Sequence, residues 1–184
     1  MLIHRTFDDQ ARQALAAGKS VLLLPEPAKL AGCIPGDFAP DFWNYGMFRK
    51  LAEQRKMPVA PGTLGILADP GHPAFSAFPT DAHSNWQWFH LLMNSRALIL
   101  DSMPAGYRPT VQVIDNYERA HKLGSILELR VGSGKLLICA IDLPGQQDKP
   151  EARQLLYSLL SYMNSAQFAP ATAVDDAAVS RILK

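Results

Sequence analysis

Charge of one sign is missing from this sequence: 18 Lys and Arg stand against 17 Asp and Glu, a formal net charge of +1. Such a balance provides no field to draw in nucleic acid or an anionic membrane surface, so neither partner is expected. No apolar run approaches the roughly 18 residues of a membrane span. Met1-Leu-Ile-His-Arg5 lacks the apolar stretch of a secretory signal peptide. Two cysteines, Cys33 and Cys139, do not make a disulfide framework, and no CxxC or CxxxH spacing suggests zinc. No metal or other cofactor is therefore expected, and cysteine use does not reveal the compartment. The GxGxxG, Walker A, HExxH and GxSxG patterns are also absent.

What is present is apolar content: 48% of the 184 residues. A chain of that size buries roughly two-thirds or more of its unfolded surface, which excludes disorder and repetitive architectures. Two skews stand out. There are 14 prolines, and nine of them fall between Pro25 and Pro79. Ten of the 16 aromatic residues fall between Phe38 and Phe89, including all three tryptophans.

The periodicity reads as α/β. Apolar positions at Phe7, Ala11, Ala14 and Leu15 have helical spacing, with Thr6 as the expected N-cap and Gly18 as the stop. Ser20 to Leu24 reads as a short buried strand ended by Pro25. Helices are expected over Phe42–Gln54 and Asn85–Met93, and strands over Gly62–Asp69, Ala97–Asp101 and Thr110–Asp115. Gly124–Val131, a Gly-Ser-Gly turn and Lys135–Ile141 read as a β-hairpin. Within the latter run Cys139 is expected as a buried free thiol, whereas Cys33 lies in a loop signal. Pro150 opens a helix whose stripe Ala152, Leu155, Leu156, Leu159, Leu160 and Met163 must face a core. The order of elements predicts one α/β domain over residues 1–170, a mostly parallel sheet with an antiparallel hairpin at one edge. Residues 171–184 are expected to form a tail with a short helix from Asp175.

Candidate chemistry is sparse. Four expected strands end in Asp69, Asp101, Asp115 and Asp142. Ligands of open α/β sheets sit beyond the carboxyl ends of strands, so these carboxylates are candidates for an acidic site. Their bland role is capping, and three are followed closely by Pro70, Pro104 and Pro144. Asp81, His83 and Ser84 include the residue types of a triad, but no nucleophile elbow precedes them. Trp86 and Trp88 are candidates to stack on sugar rings, and their spacing of two puts them on different helix faces. Phe42-Trp43-Asn44-Tyr45 is a second aromatic cluster, suited to an interface.

Taken together, the phrases resemble a known family. Phe42-Trp-Asn, Gly62-Thr-Leu-Gly-Ile-Leu-Ala-Asp-Pro70, His72-Pro-Ala-Phe75, Phe78-Pro-Thr80 and His83-Ser-Asn-Trp-Gln-Trp88 occur in order. They are followed by Ile99-Leu-Asp101, Val111-Gln-Val-Ile-Asp115, Lys122-Leu-Gly124, Gly134-Lys-Leu-Leu137, Ala152-Arg-Gln-Leu155 and Ser158-Leu-Leu-Ser-Tyr-Met163. Over roughly residues 18 to 170 the chain resembles the C-terminal module of bacterial glycoside hydrolase family 2 proteins, the β-galactosidase-like group with a sugar-binding jelly roll. The resemblance implies a three-layer fold similar to the class I glutamine amidotransferase-like fold. It also places the family's catalytic glutamates in a separate (β/α)₈ barrel, which needs about 250 residues of its own. No catalytic residue carries over. Neither cysteine sits on the glycine-flanked elbow of an amidotransferase nucleophile.

The expectation is a non-catalytic accessory domain of a glycoside hydrolase whose parent is periplasmic or secreted. It would pack on the parent's other domains or form a homo-oligomer. The alternatives are a carbohydrate-binding module using Trp43, Trp86 or Trp88, and a hydrolase using the strand-end aspartates with His83.

Overall fold

The computed structural model describes residues 1–38 and 44–184. In chain order its elements are β1 (Leu2–His4), α1 (Asp9–Ala16), β2 (Ser20–Leu23), β3 (Ile34–Pro35), α2 (Tyr45–Gln54), β4 (Ile66–Ala68) and α3 (Phe89–Met93). There follow β5 (Arg96–Ile99), β6 (Val111–Ile114), β7 (Lys122–Val131), β8 (Gly134–Cys139), α4 (Pro150–Met163), β9 (Ala173–Val174) and α5 (Asp176–Ile182). The architecture is mixed α/β, an open sheet with strands in both directions.

Pairings β1–β2, β2–β8 and β7–β9 are parallel. Pairings β3–β5, β4–β6, β5–β7, β6–β7 and β7–β8 are antiparallel. Antiparallel pairs thus outnumber parallel ones, against the expectation of a mostly parallel sheet. The hairpin is also not at an edge. β8 pairs β2 on its far side, and β7 pairs β6 and β9 on its own. The physical reason is visible in β8: Leu136 through Ile141 are all buried. A run apolar on both faces belongs in the interior of a sheet covered on both sides.

Strand alternation divides the core in two. Leu22, Leu137, Cys139 and Ile126 meet α3 and α4 through Leu91, Leu92, Leu155 and Leu159. Val21, Leu23, Leu136, Ile138, Leu127 and Leu129 meet α1 and α5 through Leu15, Val179 and Ile182. Helices therefore cover both faces. The N-cap of α1 is Asp8, not Thr6: its carboxylate accepts from the Ala11 N–H at 2.9 Å, while the Thr6 hydroxyl donates to Asp8. The hairpin turns on Gly132, whose φ of 58° suits glycine at the first position of a two-residue turn. Gly134 allows the hairpin to touch α1, since a Cβ there would lie 2.5 Å from the Leu15 carbonyl oxygen.

The last fourteen residues pack on the same core. β9 joins β7 through the Arg130 N–H to Thr172 carbonyl bond of 2.8 Å, and Val179 and Ile182 of α5 are buried. The loop residue Cys33 is buried as well, beneath α5, where its Sγ lies 3.8 Å from the Ile182 carbonyl oxygen. Burial raises the Cys33 thiol and pushes Cys139 up to about 12. Thiolate is the reactive form, so iodoacetamide at pH 8 is expected to leave both cysteines of the folded protein unlabelled. Mass spectrometry should find two adducts only after denaturation. Rapid native labelling of Cys139 would contradict its place in the sheet.

Candidate functional site

The tryptophans separate. The segment expected as one helix over Asn85–Met93 is a 3₁₀ turn at Trp86–Trp88 followed by α3. Asn85 caps the turn by accepting from the Gln87 N–H at 3.1 Å. Trp88 is fully buried, with its indole N–H donating to the Thr80 hydroxyl at 2.7 Å and its ring edge-on to Phe75 and Phe78. As a candidate ligand or interface residue Trp88 is thus corrected to core. Trp86, two positions earlier, is 78% exposed. Its ring stacks on Phe38 at 5.3 Å between centroids, and both contact Phe89. Trp43 lies outside the described residues, as does Phe42.

The strand-end aspartates do not gather in one cleft. Asp101 and Asp115 come near each other, because β5 and β6 both run antiparallel to β7 and end where it begins. Each is occupied by the chain between them. Asp101 accepts from His121 Nδ1 at 2.6 Å and from the Lys122 N–H at 2.8 Å. These two bonds, the histidine's first, hold its carboxyl below the usual range. Asp115, its side chain 2% exposed, is gripped by Arg119 at 2.6 and 3.3 Å and accepts from the backbone of Asn116 and His121. Asp142 accepts from the Gly145 N–H and faces Arg5 at 3.8 Å. Asp69 accepts from the Gly71 N–H at the other end of the sheet. His83 is exposed and bridges to Leu67, while Asp81 accepts from Asn85.

A different set converges. β8 occupies one edge of β7 from Ile126 to Val131, so β6 and β9 share the other. β6 pairs only as far as Ile126, and β9 joins at Arg130. The gap at Leu127–Leu129 opens into a cleft of about 610 Å³. Glu128 stands in it, its side chain 14% exposed. Oε1 accepts from the Thr110 hydroxyl at 3.0 Å, and Oε2 from the Tyr162 hydroxyl of α4 at 2.8 Å. His72 Nε2 lies 3.5 Å from Oε1. The His72 ring also caps the 3₁₀ turn Pro73–Phe75, with Nδ1 accepting from the Ala74 N–H at 3.2 Å. That bond requires a bare Nδ1, which leaves the proton on Nε2, the nitrogen nearer Glu128. The Tyr162 hydroxyl is raised by burial and then by Glu128, which keeps it a donor. Tyr107 closes the gap from below, its hydroxyl 3.4 Å from the Glu128 carbonyl oxygen.

Sequence reasoning passed over this group. One signal was available: Glu128 interrupts the face of β7 that carries Ile126, in a strand otherwise apolar from Ile126 to Leu129. Tyr162 similarly places a hydroxyl in the apolar stripe of α4. The convergence of Thr110, His72 and Tyr162 on Glu128 spans 18 to 56 residues of chain and left no local mark.

Among the described residues no group of His, Cys, Asp and Glu is disposed to hold a metal ion, and no helix is long and apolar enough to cross a membrane. No curated protein matches the chain. Residues 2–184 match the family model described as "Domain of unknown function (DUF8487)", and the chain belongs to that family.

Proposed function

We propose that this chain is a non-catalytic accessory domain of a β-galactosidase-like glycoside hydrolase, and that it packs against the catalytic domains through Phe38, Trp86 and Phe89. The observation that carries the reading is Trp86, a large aromatic left 78% exposed on a stacked aromatic platform. Tryptophan is the residue type most enriched among the anchors of protein interfaces. The ordered phrases of the sequence support the choice of parent. The non-catalytic role is supported by the strand-end aspartates, which serve backbone caps and ion pairs. Helices on both faces of the sheet support the finer assignment, a variant of the class I glutamine amidotransferase-like fold.

The test mixes the chain with the catalytic region of such a hydrolase and follows association by size exclusion with light scattering. A 1:1 complex is expected, with Trp86→Ala weakening it at least about 30-fold, the equivalent of a 2 kcal/mol anchor. Absence of a complex, or one indifferent to Trp86→Ala, overturns the reading. Self-association through Trp86, or quenching of its fluorescence by a glycan panel in place of a complex, would replace it with a homo-oligomer or a carbohydrate-binding module.

A further inference from the structure

We infer that the cleft around Glu128 is a binding site for a small, uncharged, hydroxyl-rich ligand. The inference does not rest on the docking surface at Trp86, which shares no residue with the cleft.

The first ground is the carboxylate itself. Withdrawing a carboxylate from water is costly unless hydrogen bonds replace the lost solvation. The strand around it is apolar, with Ile126, Leu127 and Leu129 all buried in the core. Yet two hydroxyl donors from separate parts of the chain bond to it, Thr110 before β6 and Tyr162 on α4, and His72 Nε2 at the 3₁₀ turn stands 3.5 Å away. A carboxylate offers about four acceptor positions, so about two remain beyond these hydroxyls for a ligand. The donors also set its orientation. His72 is tied to the Ala74 N–H and Tyr162 is packed against His72 and Phe168. The acceptor is therefore aligned before any ligand arrives, the condition under which a polar contact contributes most to affinity.

The second ground is the place. The cleft opens where the sheet edge has no strand, between the ends of β6 and β9. Its size lies within the usual range for small-molecule sites, roughly 300–1,000 Å³.

The third ground sets the ligand class. Beside Glu128, the lining residues include Gln112 and Gln167, whose side chains bond to no protein group among the described residues. Each amide both donates and accepts, as a hydroxyl group does. Formal charge in the walls is small, Asp69 and Glu128 against Arg108, a net of −1. Part of each acidic group is already bonded, Asp69 to the Gly71 N–H and Glu128 to the Thr110 and Tyr162 hydroxyls. An anion finds no matching excess, and a multivalent cation meets only a single net negative charge. A neutral polyol finds groups that donate and groups that accept, with Pro73, Pro109 and Pro170 as apolar contact for its carbon face.

The experiment is an NMR titration of the ¹⁵N-labelled full chain with myo-inositol, D-glucose and D-sorbitol, and with putrescine and citrate as charged counterparts. At least one polyol is expected to give saturable shifts at the amides of Thr110, Gln112, Glu128 and Gln167, with putrescine and citrate giving none. Glu128→Gln should raise the dissociation constant at least tenfold, and Gln112→Ala about threefold or more. If Glu128→Gln does not fold, Gln112→Ala and the map of shifts on the unmodified protein decide. Absence of saturable shifts with every polyol overturns the inference. Tighter binding of putrescine or citrate at the same amides overturns the ligand class, and shifts clustered at Trp86 instead would overturn the location.

Discussion

Trp88→Ala is expected to lower the unfolding free energy by about 3–5 kcal/mol, the usual cost of truncating a buried aromatic side chain. Trp86→Ala, two residues earlier, should stay within about 0.5 kcal/mol of the parent, as exposed substitutions do. The contrast comes from what each ring touches. Trp88 is fully buried between Phe75 and Phe78, and the 3₁₀ turn offers little room for the neighbours to collapse into the space. Its loss also strips the Thr80 hydroxyl of the indole N–H at 2.7 Å. For a chain of this length each kcal/mol moves the melting temperature by roughly 2–4 °C, so Trp88→Ala should fall at least about 6 °C below the parent. Thermal and urea denaturation of the two variants side by side is the check. Similar values for both would mean that Trp-Gln-Trp does not divide its rings between core and surface.

The second large effect is expected at Asp115. Asp115→Ala should cost about 3 kcal/mol, the lower part of the range for removing one partner of a buried ion pair. The carboxylate ties three pieces together: Arg119 at 2.6 Å, the Asn116 N–H and the His121 N–H. Arg119 in turn donates to the Pro61 carbonyl oxygen at 2.6 Å and lies over the Tyr45 ring. Without Asp115 its guanidinium keeps a partly buried site and loses its counter-charge. A double-mutant cycle with Arg119→Ala should give a coupling energy of at least about 1 kcal/mol, since the groups are in direct contact. Coupling near zero, or a cost for Asp115→Ala below about 1 kcal/mol, would return Asp115 to the pool of free acidic groups. The expectation separates a carboxylate that holds the fold from one that faces a ligand. Asp115 is the former; Glu128, bonded by side chains at the mouth of a cleft, has the features of the latter.

Much of the secondary structure was legible because its causes are local. The stripe from Ala152 to Met163 with Pro150 at N1 produced α4 as expected, and the Gly-Ser-Gly turn produced the hairpin. Both depend on neighbours a few residues apart. Other expectations missed by a turn or two. The strand expected over Gly62–Asp69 shrinks to Ile66–Ala68, because Gly62 and Gly65 both have positive φ and break the extended run. The helix expected from Asn85 begins as a 3₁₀ turn, and the spacing of two still sends Trp86 and Trp88 to different environments.

The candidate site was legible only in part. Of the two tryptophans that the sequence offers as contact residues, Trp86 is exposed and Trp88 is core. For the aspartates at strand ends the sequence leaves capping and an acidic site both open, because their spatial distribution depends on strand direction. With β5 and β6 antiparallel to β7, Asp101 and Asp115 share an end. β4, antiparallel to β6, carries Asp69 to the opposite end.

By itself the sequence determined an α/β domain without a charged field or a metal motif, and it determined which runs would be buried on both faces. Those properties follow from composition and periodicity, which every stretch of chain carries within itself. The tertiary structure alone decided that the hairpin sits inside the sheet, that residues 171–184 close its edge and core, and that Glu128 meets Thr110, His72 and Tyr162. Each of these depends on which strands pair and in which direction. Pairing is chosen by the free energy of burying the whole sheet between its helices, a sum over distant contacts to which no local segment holds the key.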